Sequence, residues 1–281
     1  MLDTAAIGEG AKIPPPSVAI IVTFFGKAPF WMPAFLLSCR ANADVQWIIY
    51  TDIDDVAGVP PNVTLKPTTV GDLNRRCSER LGTPINIQRR KLCDLKPTYG
   101  VIFEEDLRPF DFWGCSDLDI VWGNIRHFAT DARLRAHDIF SSRKDKLSGH
   151  CTFYRNVPEI NALFERIPDV RARLATSHHE HLGEREMTKC VRPLDSLCSL
   201  GAGSGPRVYW DEELATNAAY QKVLGDASLT WRNGRTFGPD GRELMYIHFH
   251  KLKQEMKTID FGVTDTPISF RINHNGFFTT G

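Results

Sequence analysis

The chain has 281 residues, with 34 Lys and Arg against 34 Asp and Glu and a formal net charge of zero. That balance removes the electrostatic footprint of sequence-independent nucleic-acid binding, which needs many cation–phosphate contacts. It also argues against a polybasic membrane-surface protein, while a local basic patch, and with it peripheral membrane association, stays open. Hydrophobic residues make up 42% and charged residues 24%, the composition of a folded globular chain long enough for one large α/β domain.

Residues 1–16 end in Pro14-Pro15-Pro16 and read as a flexible tail unlike a secretory signal. The apolar run at 17–25 (SVAIIVTFF) predicts a central strand, bounded by Pro16 and Gly26. A helix is predicted over 29–42, with Ala34, Leu37 and Cys39 on its buried side. A strand over 46–52 follows, ending in the acidic group Asp52, Asp54 and Asp55, then a short strand over 62–66 and a helix over 70–81. Strand, helix, strand, strand and helix in this order predict a mostly parallel sheet flanked by helices. Residues 91–97 are expected to form a helix ended by Pro97, and 111–123 a strand and turn. Residues 138–142 and 151–154 are expected as strands flanking a loop at 143–150, and 157–174 as mostly helical. The stretch 178–205 is rich in Gly, Ser and His and reads as irregular. Residues 211–224 read as a helix, 244–250 as a strand, and the last twenty as a tail with scattered aromatics. No internal repeat or linker divides the chain, so a single domain over 17–281 with an elaborated C-terminal third is expected. No stretch approaches the roughly 18–20 apolar residues of a membrane-spanning helix. Seven cysteines without a CxxC pair fit a reducing compartment, and the expected location is cytoplasmic.

The most informative feature is Asp117-Leu118-Asp119, two carboxylates set between Phe112-Trp113 and Ile120-Val121-Trp122. Charged residues are rarely buried without a partner. In an extended strand residues i and i+2 share a face, so both carboxylates would converge on one point. Hard oxygen ligands with an incomplete protein shell suit a divalent cation shared with phosphates. A bare DxD triplet is short and also occurs as a solvated turn; here the apolar setting and the βαβ region before it favour a metal site.

A DxD closing an N-terminal nucleotide-binding half resembles the GT-A-fold glycosyltransferases. The chain resembles more closely a GT-A-like family associated with bacterial capsule and surface-polysaccharide synthesis. The resemblance is carried, in order, by TFFG (23–26), WIIYTD (47–52), KLCDLKPTYG (91–100), DFWGCSDLDIVWGNIR (111–126) and SGHCTFYRN (148–156). It implies a GT-A-like sheet with a nucleotide-sugar-binding half at 17–130 and an acceptor-side half at 131–281. It implies a hexosyltransferase-type enzyme using a nucleotide-sugar donor, UDP-linked, and a saccharide acceptor in polysaccharide biosynthesis. Thr23 and Phe25 would line the base and ribose pocket with Asp52 beside them, and Lys91 and Asp94 would lie over the ribose and donor sugar. Asp117 and Asp119 would hold Mn2+ or Mg2+, completed by His248 with His250 as the alternate. Lys253, or Lys251, would neutralise the leaving diphosphate.

Other readings stand beside these. Lys91 and Asp94, three apart on a helix, also fit a surface ion pair, and Asp52 a turn residue. Ser148-Gly149-His150 fits a hairpin turn or a wall against a sugar. Asp211 and Glu212 are candidates for a catalytic or acceptor-orienting role, although carboxylates opening a helix also favour its dipole. His178-His179-Glu180-His181 with Cys190 has zinc-ligand chemistry but no standard spacing, so a solvated loop is favoured. Gly201–Gly205 lacks the Lys-Ser/Thr of a phosphate loop. The alternatives to a glycosyltransferase are a nucleotide-sugar-binding protein, a nucleotidyl- or phosphoryl-transferring relative, and an inactive scaffold of a polysaccharide assembly complex.

Overall fold

A computed structural model describes residues 13–199, 205–210, 212–216, 228–262 and 264–280. The chain opens with strand β1 (Val18–Phe24), helix α1 (Met32–Arg40), β2 (Val45–Thr51), β3 (Val63–Pro67) and helix α2 (Val70–Leu81). The order β3-β2-β1-β4, with β4 at Phe112–Ser116, is parallel throughout. β6 (Ile139–Ser141), β7 (Thr152–Arg155) and β8 (Val208–Tyr209) extend the sheet to seven strands in the order β3-β2-β1-β4-β7-β6-β8, with β7 reversed. The result is an α/β architecture with a mostly parallel sheet flanked by helices.

The central strands form because they are apolar on both faces, as parallel strands covered on two sides must be. Ala19 and Ile21 of β1 enter one core with Ile48 and Tyr50, whereas Val18, Ile20 and Val22 enter the opposite one with Trp47 and Ile49. Leu73, Cys77 and Leu81 of α2, four residues apart, cover the first face. α2 begins where the Thr69 hydroxyl accepts from Asp72 N and stops at Gly82, whose φ of 61° suits a residue without a Cβ. α1 is buried on two sides. Phe35, Leu36 and Cys39 pack on the main sheet, while Ala34 and Leu37 meet a second sheet. Its buried face is therefore wider than the Ala34, Leu37 and Cys39 expected.

That second sheet holds β9 (Leu229–Arg232), β10 (Arg235–Phe237), β11 (Glu243–Leu244), β13 (Thr258–Ile259), β14 (Ser269–Asn273) and β15 (Gly276–Thr279), in the order β11-β10-β9-β14-β15-β13. It replaces the expected C-terminal tail. The expected strand at 244–250 is divided: Leu244 ends β11, and β12 (Tyr246–His248) leaves to pair with β5 (Ile120–Trp122). Residues 212–216 are not helical, Ala215 forming a bridge to Tyr246 instead; the rest of the helix expected at 211–224 lies outside the described residues. Residues 178–199 are more regular than expected, with a π-helical turn at Leu182–Glu186 running into a helix at Met187–Ser199, while 200–204, and with them most of the glycine-rich stretch 201–205, lie outside the described residues. The segment expected as an α-helix ended by Pro97 is a 3-10 stretch, Arg89–Thr98, with Pro97 inside it. Residues 157–174 are broken into the turns Pro158–Asn161 and Leu163–Arg166 and a helix at Val170–Ala175. Among the described cysteines, Cys39, Cys77, Cys93, Cys115, Cys151 and Cys190 are free thiols. Among the described residues, no helix is long and apolar enough to cross a membrane.

Candidate active site

The strand order reverses between β1 and β4, and open α/β sheets bind ligands outside the carboxyl ends of their strands at such a point. Thr23 and Phe25, Asp52, and Asp117 stand at the carboxyl ends of β1, β2 and β4. Neither aspartate of the DxD lies in a strand; both fall in the turn between β4 and β5. The turn is fixed by three backbone contacts. Trp31 Nε1 donates to Leu118 O at 3.1 Å, Phe249 N to Asp119 O at 3.1 Å, and Ser116 Oγ to Asp117 O at 2.8 Å.

The ribbon β5–β12 carries the third ligand across. Its antiparallel register sets His248 opposite Ile120, one residue from Asp119. His248 Nε2 stands 3.4 Å from Asp119 Oδ1 and 3.9 Å from Asp117 Oδ2. One ligand atom from each of Asp117, Asp119 and His248 lies within 4.8 Å of the others. His250 is next along, its ring centroid 5.3 Å from that of His248. Two carboxylates and an imidazole are a donor set suited to a divalent cation such as Mn2+.

Two ammonium groups face the same aspartates. Lys96 Nζ lies 2.5 Å from Asp117 Oδ1 and donates to Gly149 O at 2.7 Å, and Lys253 Nζ lies 2.7 Å from Asp119 Oδ2. Burial disfavours the Asp119 carboxylate, but His248 and Lys253 outweigh it and hold its carboxyl well below the ordinary carboxylate range. Burial likewise opposes the Lys96 charge, yet Asp117 wins and raises its pKa.

Asp117 and His248 face a cavity of about 230 Å³, whose wall also contains Lys96, Gly149, His150 and Glu184. The His150 ring lies 3.9 Å, centroid to centroid, from that of His248. Burial pushes the His150 pKa down and the neighbouring His248 pushes it further. Asp117 and Glu184 are the carboxylates on this wall among the described residues. Glu184 Oε1 accepts from Gly149 N and Oε2 stands 3.1 Å from Lys146 Nζ. Burial works against its charge, but Lys146 prevails and keeps the carboxyl low. A Cβ on Gly149 would come within 2.8 Å of Glu184 Cγ, so this approach favours glycine.

The remaining candidates are placed as follows. Thr23 Oγ1 shares a hydrogen bond with Tyr99 OH, and Phe25 packs half-buried on the core. Asp52 is exposed and accepts from Gly26 N at 2.7 Å, joining the ends of β1 and β2. Lys91 and Asp94 are not a surface pair: both side chains are 0% exposed, 3.3 Å apart. Lys91 Nζ donates to Arg173 O and His178 O, and Asp94 accepts from Glu180 N and Leu182 N. The pair therefore straps residues 173–182 onto the 3-10 stretch. Glu212 is exposed, 3.8 Å from Arg133, and is not on the cavity wall. Asp211 lies outside the described residues, and Lys251 is exposed. The cavity side chains that sequence reasoning does not single out are Cys93, Lys96 and Glu184, whereas Gly149 and His150 belong to the Ser148-Gly149-His150 stretch expected as a hairpin turn or a wall against a sugar. Cys93 and Lys96 lie within a block that carries the resemblance, but no local pattern marks either one. His179 and His181, expected in a solvated loop, line the same cavity.

The model of a family of unknown function, DUF6625, matches residues 20–280. No curated protein matches the chain. Among solved structures, the apo form of mouse xyloside xylosyltransferase 1 is similar at 11% identity and a TM-score of 0.44, covering 83% of this chain and 97% of its own. An active-site mutant of LgtC is similar at 9% identity and a TM-score of 0.45, covering 82% and 86%. The galactosyltransferase LgtC with donor and acceptor sugar analogs is similar at 8% and 0.37, covering 74% and 78%.

Proposed function

The chain belongs to the family of unknown function DUF6625, and we propose that it is a metal-dependent glycosyltransferase of the GT-A kind. It would move a sugar from a nucleotide-diphosphate donor to a saccharide acceptor. The observation that carries this reading is the convergence of Asp117, Asp119 and His248 beside a cavity at the carboxyl ends of parallel strands. The finer assignment, a UDP-linked hexose donor used in surface-polysaccharide synthesis, is supported by the five sequence blocks, and a cytoplasmic location by seven cysteines without a CxxC pair.

Asp117, Asp119 and His248 would hold Mn2+ or Mg2+, which supplies positive charge to a departing diphosphate. The cavity is smaller than the roughly 300–1,000 Å³ of pockets that bury whole drug-sized ligands. It suits the donor sugar, with the nucleotide lying along the strand ends at Thr23, Phe25 and Asp52. Lys253, which pairs with Asp119, would meet phosphate oxygens. Glu184 replaces Glu212 as the better-placed orienting carboxylate. Kept ionised by Lys146, it accepts a hydrogen bond from a sugar hydroxyl and holds it in line, the positioning effect that such a transfer relies on. The strap pinned by Lys91 and Asp94 supports the wall carrying Glu184 rather than touching the donor.

Calorimetry with UDP tests the reading. UDP is expected to bind the unaltered protein only with Mn2+ present, and Asp119→Asn to abolish that binding. A second reading, a scaffold with a structural acidic pair, is favoured by the ammonium partner each aspartate already has. Absence of metal-dependent UDP binding by the unaltered protein would decide for the scaffold.

A further inference from the structure

The two lysines that neutralise the acidic pair differ in how firmly they are held. Lys96 has a side chain 6% exposed, and besides Asp117 it is anchored by the Gly149 carbonyl at 2.7 Å. Lys253 is 38% exposed and sits on the single 3-10 turn Leu252–Gln254, just beyond β12. Its ammonium and the His248 imidazole take opposite oxygens of Asp119, Oδ2 and Oδ1.

Building on the donor-site reading above, we propose that Lys253 is an exchangeable counter-ion. Its ammonium neutralises Asp119 until a divalent cation claims that carboxylate, and it then turns to the diphosphate of the nucleotide. The physical reason is like-charge repulsion. A divalent cation and an ammonium on one nearly buried carboxyl group oppose each other at short range, where screening by water is weak. Lys96 is pinned and stays; Lys253 is on a flexible four-carbon stem with three rotatable donors and can leave. A diphosphate brings negative charge to the same place and gives the displaced ammonium a new partner. Lys253 therefore opposes the cation when it comes alone and supports the cation–nucleotide pair. Cation and nucleotide bind cooperatively through this side chain, and by linkage each raises the affinity for the other by the same factor.

The consequence is a change of sign. Removing the ammonium should strengthen binding of the cation alone and weaken the gain from nucleotide. Mn2+ binding followed by electron paramagnetic resonance, with and without UDP, reads both. Lys253→Met is expected to bind Mn2+ alone roughly tenfold more tightly than the unaltered protein, and the enhancement by UDP is expected to fall by a similar, roughly tenfold factor. Lys257→Met removes the same charge from an exposed lysine that does not line the cavity, and it should match the unaltered protein in both titrations. Unchanged or weaker Mn2+ binding in Lys253→Met overturns the exchange, as does an undiminished UDP effect. Equal behaviour of the two variants also overturns it, by assigning the change to net charge. Failure of the donor-site reading looks different: UDP then leaves Mn2+ binding unaltered in the protein without substitutions.

Discussion

Lys91–Asp94 and Lys96–Asp117 start five residues apart on one 3-10 stretch and use the same two chemical groups. The first pair is sealed: both side chains are 0% exposed, and the remaining valences go to the backbone of residues 173–182, the Thr176 hydroxyl and the His179 imidazole. The second faces the cavity, with Asp117 35% exposed and its other oxygen 3.9 Å from an imidazole. A buried ion pair becomes architecture when the chain supplies every partner. It becomes chemistry when one valence is left for something that is not protein. The charges are alike in the two pairs; the surroundings differ.

The largest expected effect comes from breaking the sealed pair. Asp94→Asn leaves the Lys91 ammonium buried without its counter-charge, which costs about 3–5 kcal/mol. Urea denaturation should show this loss, while Mn2+ affinity of the folded protein stays within about twofold of the unaltered chain. Asp119→Asn should shift the balance the other way. It lowers the urea midpoint less than Asp94→Asn, because the half-exposed Lys253 can turn to water, whereas Mn2+ binding by calorimetry falls by more than the roughly 10–100-fold typical of an outer-shell partner. Lys96→Met moves both readouts. It strands Gly149 O and frees Asp117 of an ammonium that a cation would have to oppose, so a loss of about 1–3 kcal/mol and a tighter Mn2+ affinity should appear together. A variant that moved only one of these readouts would blur the contrast between the pairs.

The smallest effect concerns Glu184 and Lys146, which are about one-third exposed and so contribute at most about 1 kcal/mol. The Glu184 carboxyl is lowered in the fold, so between the folded and unfolded pKa values the unfolded chain binds more protons. Its contribution is thus present above the unfolded carboxyl range and is lost as pH falls through the lowered value. Glu184→Gln should flatten the acid side of the stability profile slightly, measured as urea midpoints at pH 7 and pH 3.

The first half of the fold is readable because its signals are local. β1 and β2 are long, largely apolar runs, and α2 carries its own cap at Thr69 and stop at Gly82. The second sheet is built from strands of two to five residues, too short for periodicity to speak. One local signal does exist there. Asn233-Gly234, with φ of 49° and 76°, forms the two-residue turn between β9 and β10, and Asn-Gly is a strong hairpin marker. At the site, the DxD aspartates stand out as charges in an apolar run, and His248 through its resemblance. Lys96 does not, because its partner is 21 residues ahead and its anchor is a backbone carbonyl 53 residues ahead. Glu184, on the π-helical turn, reaches the cavity beside Gly149 and His150 only through tertiary packing, which no window of sequence contains.

The β5–β12 ribbon bears on how the protein is made. Asp119 and His248 are separated by more than a hundred residues of chain, so their meeting is a contact of long sequence separation and forms late. During vectorial synthesis, the parallel sheet can assemble around a DxD turn that still lacks its imidazole. Retention of a cation at the site would therefore report that the C-terminal part of the chain has been translated and docked. On the proposed reading, occupancy by a divalent cation would be a maturation marker, absent from nascent chains that stop before β12.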